Sequence, residues 1–204
     1  SGDSSDPKRY RPISLLNLQY KVYARLLQKR ISAHTDRLIS TRQFGFRKGR
    51  STSDPIHMIH RIQEMFEATD QPLYMMFLDW TMAFDKVSHA GLHTALKRFG
   101  LPEEYIEAVD DIYTHATFQV KEEQYISSIK EQTSVIRQGC PLSPYLFVIF
   151  LSVLMHDARI DASEKLNHTR PHLFSFHDDI ADLEYADDIV LFSRTRAHLQ
   201  QMLH

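Results

Sequence analysis

LEYADDIVLF, residues 183–192, sets two adjacent aspartates, Asp187 and Asp188, inside a run otherwise apolar enough to be a buried strand. Neighbouring carboxylates repel each other, and charge in an apolar setting is costly unless it is paired or binds metal. Aspartate is also a common turn residue, so the stretch by itself reads as two short strands around a turn. A third acid gives the pair a context. PLYMMFLDW, residues 72–80, is apolar from Leu73 to Leu78 between Pro72 and Asp79, the pattern of a fully buried strand that ends on a carboxylate. An acid at the end of one central strand and two in the turn of a neighbouring hairpin can converge on one point. Three carboxylates so placed make a hard, oxygen-rich site suited to Mg²⁺ bound together with substrate phosphates. Two such ions, about 3.5–4 Å apart, stabilise both the attacking and the leaving oxygen of a phosphoryl displacement.

The formal net charge of −2 hides a strong polarity along the 204 residues. Residues 1–62 carry 13 Lys and Arg against 4 Asp, and the remainder carries 11 basic against 22 acidic side chains. A first third that faces polyanions and a remainder that holds carboxylates would show this pattern; two helices with solvated basic faces would show it too. The single cysteine, Cys140, excludes an internal disulfide and cysteine-rich zinc sites. Among the 12 histidines there is no HExxH motif, and His57 and His60, which share a helix face, have no ligand pattern around them, so zinc is not indicated. The longest apolar stretch, residues 145–155, is far shorter than the ~20 residues of a membrane span and reads as a core helix. The N-terminal SGDSSDPKRYRP lacks the apolar stretch of a secretory signal.

No repeat is present, and helices and strands are interspersed without regular βαβ alternation, which predicts an α+β fold. Residues 17–38 have apolar side chains at Leu18, Val22, Leu26, Leu27 and Ile31, the spacing of a helix capped by Asn17, with a basic opposite face. RQFGFRKGRSTS, residues 42–53, reads as a turn or short hairpin. A helix follows from Ser53, with Ser53 or Asp54 capping it and Pro55 in its first turn. Two further helices flank Gly100 and Pro102, residues 118–136 suggest a hairpin, and Ser143 and Pro144 open the apolar helix. The acidic pairs Asp110–Asp111 and Asp178–Asp179 are expected to lie outside the site.

Five segments in order, YRPISLLNLQYKVYARLLQKRI, QFGFRKGRST, MFLDWTMAFDKV, IRQGCPLSPYLF and LEYADDIVLF, resemble the reverse transcriptases of non-LTR (LINE-type) retrotransposons. The resemblance runs from about Tyr10 to Phe192. It implies a right-hand polymerase fold, here fingers and a partial palm built of an antiparallel sheet with packed helices. The fingers would occupy residues 1–70 and the palm residues 71–204, with the thumb lying beyond. It further implies RNA-templated DNA synthesis on a DNA primer from deoxynucleoside triphosphates. Two Mg²⁺ ions, or Mn²⁺, would be held by Asp79, Asp187 and Asp188. Phe84 stands at the position of the family's steric gate against a ribose 2′-hydroxyl, although without the motif it reads as a core phenylalanine. Asp85 is expected to cap or brace the next helix. Gln138 and Gly139 would lie against the template and the nascent base pair. Arg47, Lys48 and Arg50, with Arg11, would contact triphosphate or template, since arginine suits bidentate phosphate binding. One departure is Met82, where the family usually carries a basic residue.

The resemblance leaves location open, with cytoplasm or nucleus or both expected if the chain belongs to an active element, and implies a larger polyprotein with an endonuclease and a thumb. Three other readings share parts of the pattern: a group II intron maturase, an RNA-dependent RNA polymerase, and a non-catalytic RNA-binding scaffold or decayed copy. A bulky Phe84 speaks against the RNA polymerase, and the wording of AFDKV and YRPISLLN against the maturase. Three retained carboxylates speak against the scaffold.

Overall fold

An apolar helix and a small sheet organise the computed structural model, which describes residues 13–80, 83–122, 124–132, 136–165 and 181–203. The chain order is α1 (Leu18–Thr35), α2 (Ser53–Ala68), β1 (Tyr74–Leu78), α3 (His89–Phe99) and α4 (Glu103–Tyr113), then the short strands β2 (Thr117–Phe118), β3 (Lys121–Glu122), β4 (Tyr125–Ile126) and β5 (Lys130–Glu131). These are followed by α5 (Ser143–Lys165), β6 (Asp182–Tyr185), β7 (Asp188–Ser193) and α6 (Arg196–Gln201). The ends of the elements follow their sequence signals. Asn17 accepts the Tyr20 N–H at 2.7 Å and starts α1; Ser88 does the same for Gly91 at α3, and Gly100 closes α3 with φ of 87°.

The main sheet has the order β1-β7-β6 and is antiparallel throughout. Its central strand, β7, is covered on both faces. Ile189 and Leu191 join the larger core, formed by α1, α3, α4 and the first half of α5, in which residues 145–149 are all buried. Val190 and Phe192 alternate to the other face and pack with Phe44, Ile62, Phe66 and Leu183. Residues before position 70 thus contribute to both cores.

Several local expectations change. Among the described residues β1 is an edge strand paired only with β7, and Phe77 is 69% exposed; its continuous apolar run therefore does not mean burial on both faces. On α1 the buried residues are Ala24, Leu27, Ile31 and Thr35, whereas Leu18, Val22 and Leu26 are exposed. The inward face of α1 runs through Ala24, Leu27 and Ile31 to Thr35, whose hydroxyl meets the Tyr145 hydroxyl of α5 at 3.0 Å. At α2, Thr52 occupies the cap position without a side-chain bond, while Asp54 accepts the Ser51 N–H at 2.7 Å. The loop of residues 42–53 is no hairpin. It pairs in parallel with β6 at Gln43, through Phe44 N–H to the Glu184 carbonyl at 2.8 Å and Glu184 N–H to the Arg42 carbonyl at 2.9 Å. The expected hairpin after α4 is present as nested antiparallel pairs, β2 with β5 and β3 with β4. No helix among the described residues is long and apolar enough to cross a membrane.

Candidate active site

The catalytic candidates meet at one end of the main sheet, and the strand register brings them there. β1 pairs with β7 from Tyr74 opposite Ser193 to Leu78 opposite Ile189. One further step along that register sets Asp79 across from Asp188, while β6 pairs Tyr185 with Asp188 and leaves Ala186 and Asp187 as the turn. Directly opposed positions in an antiparallel pair hold their Cβ atoms about 4.5–5.5 Å apart. Asp79 and Asp188 are exposed and Asp187 is half-buried, and none of the three has an ion-pair partner among the described residues. Burial first, then the charges of Asp187 and Asp79, push the Asp188 carboxyl above the usual aspartate range.

Among the described residues no three His, Cys, Asp or Glu side chains are gathered closely enough to hold an ion as they stand. The charges of Asp187 and Asp79 add to burial in raising the Asp188 carboxyl, so the three acids lie within electrostatic reach of one another. The donor set nevertheless fits a hard divalent cation. It consists of carboxylate oxygens alone, at the open end of a sheet, and among the described residues it has no positive side chain in salt-bridge contact to neutralise it.

The turn itself is built with care. Ala186 has φ of 54°, and positive φ at only the first of two turn residues is the signature of a type II′ turn, which ordinarily takes glycine there. Gln43, with no exposed surface, reaches this turn from the neighbouring loop. Its Oε1 accepts the N–H groups of Ala186 at 2.8 Å and Gly45 at 2.7 Å, and its Nε2 donates to the Glu184 carboxylate at 3.0 Å and to the Ala186 carbonyl at 3.4 Å. Gly45 is pressed against the same turn: a Cβ there would lie 2.3 Å from the Ala186 nitrogen.

Behind the turn, Asp182 and Glu184 point from β6 into the protein and are almost fully buried. Arg159 of α5 bonds both carboxylates, and Arg42 bonds Asp182 at 2.9 Å. Burial raises the Asp182 carboxyl, but the hydrogen bond and charge of Arg159, with Arg42, outweigh it and hold the group low. Burial prevails at Glu184, whose carboxyl is pushed up to about 7, with Arg159 opposing and Asp182 adding to the rise. This buried network and Gln43 are absent from the sequence-based expectations. The alternation of Asp182 and Glu184 with Leu183 and Tyr185 was the available signal, because buried strand acids require cationic partners.

The remaining candidates divide. Phe84 is half-buried, stacked on Phe147 with ring centroids 4.5 Å apart and edge-on to Phe46 at 6.3 Å; a supported ring suits a gate and a core residue alike. Gln138 donates to the Asp85 carboxylate at 3.3 Å, so Asp85 braces Gln138 and does not cap α3, whose cap is Ser88. Gly139 has φ of 104°, and a Cβ there would meet the Ser14 carbonyl at 2.9 Å; the glycine serves a backbone approach, with Ser14 N–H bonding the Gln138 carbonyl at 2.8 Å. Arg47 departs from expectation. Its guanidinium bonds the Asp36 carboxylate and the carbonyls of Asp36, Ser40 and Gln43, which occupies all five of its N–H groups. It locks the loop and has no donor left for phosphate. Lys48 and Arg50 are exposed, with Arg50 lying over the Phe44 ring at 5.4 Å. Arg11, Met82 and the Asp178–Asp179 pair lie outside the described residues. Asp110 pairs with His93 at 2.6 Å, away from the site, and Cys140 is buried against the Tyr20 hydroxyl at 3.2 Å.

A three-stranded antiparallel sheet ending in this carboxylate turn, packed on helices, is the palm of a right-hand polymerase. The fold is shared with a telomerase from Candida tropicalis solved with an RNA fragment, with a TM-score of 0.59 at 15% identity over 92% of this chain and 30% of that one. A telomerase from Candida albicans gives 0.56 at 14% identity over 90% of this chain and 31% of that one. Residues 3–204 match the family described as reverse transcriptase (RNA-dependent DNA polymerase). The chain is 32% identical over 199 residues to an RNA-directed DNA polymerase from the mobile element jockey of Drosophila melanogaster, covering 96% of this chain and 20% of that protein. It is also 32% identical over 149 residues to a probable RNA-directed DNA polymerase from the transposon X-element of the same species, covering 71% of this chain and 16% of that protein. The chain belongs to the reverse transcriptase family, among the non-LTR retrotransposon members, and spans about a fifth of the length of these relatives.

Proposed function

We propose that this chain carries the nucleotide-adding centre of a LINE-type reverse transcriptase, extending a DNA primer on an RNA template. The observation that supports this most is the register that takes Asp79 to Asp188 beside Asp187, three carboxylates left without cationic partners. Asp79, Asp187 and Asp188 would hold two Mg²⁺ ions. When bound, these ions would ease loss of the primer 3′-hydroxyl proton and neutralise charge as that oxygen joins the α-phosphorus and pyrophosphate departs. The protein's share is positioning and electrostatics. Phe84, supported from behind by Phe147, closes the space a ribose 2′-hydroxyl would need. Lys48 and Arg50, with Arg11, neutralise triphosphate or template phosphates, and Gln138 and Gly139 present backbone and amide to the nascent pair.

The test is primer extension on an RNA template with Mg²⁺, using the full-length polypeptide and its Asp187→Ala variant. Extension by the wild type alone is the expected result. Equal, background-level extension by both would remove the enzymatic reading and leave an RNA-binding scaffold in its place.

A further inference from the structure

The three carboxylates owe their position to a turn with an unfavourable backbone, and something must hold that turn. An alanine at φ of 54°, in a position that usually takes glycine, relaxes unless the surroundings over-determine it. Gln43 supplies the needed restraint. Its amide meets the Ala186 backbone as a second peptide would, accepting from the N–H and donating to the carbonyl. The same amide ties the turn to Glu184 and to Gly45, and the absence of a side chain at Gly45 permits the close approach. The loop bearing Gln43 is itself anchored, by its parallel pairing to β6 and by Arg47, which bonds the Gln43 carbonyl at 2.9 Å. Because the amide is fully buried, water cannot substitute for it when it is removed.

We infer that Gln43 is a positioning residue of the polymerase centre: its side-chain amide clamps the Ala186 peptide and so sets where Asp187 and Asp188 present their carboxylates to divalent cations. The assignment rests on the proposed polymerase reading for its catalytic consequence, but the clamp itself is a property of the turn.

The experiment compares wild type, Gln43→Met and Gln43→Glu. Methionine keeps the volume and removes both hydrogen-bonding functions, whereas glutamate keeps an Oε1 able to accept from Ala186 and Gly45. Amide hydrogen exchange, Mn²⁺ binding followed by electron paramagnetic resonance, and steady-state primer extension are measured on each. For Gln43→Met the Ala186 amide should exchange roughly tenfold faster, consistent with loss of one buried hydrogen bond, while α5 amides stay as slow as in wild type. Mn²⁺ should bind roughly tenfold more weakly, and kcat should fall with KM for primer–template unchanged, as expected when only carboxylate placement is lost. Gln43→Glu should retain protection at Ala186. Unchanged Ala186 exchange or unchanged Mn²⁺ binding in Gln43→Met would overturn the inference. So would loss of α5 protection in both variants, because Gln43 would then be an ordinary core residue. If the wild type shows no extension sensitive to Asp187→Ala, the polymerase reading fails, while Ala186 exchange and Mn²⁺ binding still decide the clamp.

Discussion

The hairpin of β6 and β7 carries acids at its tip and in its root, and the two groups are treated in opposite ways. At the root, Asp182 and Glu184 are buried and bonded by Arg159 and Arg42. At the tip, Asp188 and Asp79 are exposed and Asp187 is half-buried, and none of them has a cationic partner among the described residues. Two arginines thus bond the root carboxylates. The difference teaches that the chain compensates acids where burial requires it and, among the described residues, leaves the tip charge without a cationic side chain, as the proposed metal site would need.

The largest expected effect tests the tip. Asp79→Asn should reduce Mg²⁺-dependent primer extension by roughly a thousandfold or more, the several kcal/mol that metal stabilisation of the transition state supplies. Its thermal midpoint should not fall, because a repulsive charge has been removed. A stability loss comparable to the activity loss would erase the contrast between tip and root. At the root, Arg159→Met should cost about 3–5 kcal/mol in a denaturant melt, since it leaves the buried Glu184 with the neutral Gln43 amide and no cationic partner among the described residues, and Asp182 with Arg42. Retention of wild-type stability there would show that the buried pair is not what holds β6 to α5.

Smaller effects sharpen the same comparison. Phe84→Ala should raise ribonucleotide over deoxynucleotide incorporation by roughly tenfold, the scale of one lost steric contact in a pocket; unchanged sugar selection would return Phe84 to the core it shares with Phe147. Glu184 predicts a pH signature. Its carboxyl sits at about 7 in the folded chain against an ordinary 4.5, so the folded state binds this proton more tightly than the unfolded. That stabilisation is fully present below about pH 4.5 and is lost as pH rises through about 7. Glu184→Gln should flatten the fall in thermal midpoint across that window. Smallest of all, Asp188→Asn should raise the midpoint by no more than about 2 °C, as expected for relief of repulsion at an exposed position.

Much of the candidate site was legible along the chain because its signals are local. A carboxylate pair within an apolar strand pattern marks a turn wherever it occurs, and the strand ending at Asp79 could be read from its own residues. Asn17, Ser88 and Gly100 likewise mark helix ends through bonds made within a few residues. What the sequence hid was partnership over distance. Arg47 looked like the other fingers cations until Asp36 and three carbonyls were found to occupy it. The exposed Leu18, Val22 and Leu26 formed as good an apolar stripe as the buried Ala24, Leu27 and Ile31, because periodicity reports a face without saying which face is covered.

By itself, then, the sequence determined the chemistry available: three acids, a family of motifs in order, and an α+β pattern of elements. Only the tertiary structure decided which acids are neutralised and which are left bare. That choice depends on Arg42 and Gln43 lying beside β6 across about 140 positions of chain, and on Arg159 arriving from the far end of α5. Charge compensation and buried hydrogen bonding act over a few ångströms in space, and no local pattern of residues encodes which distant side chain will fill those few ångströms.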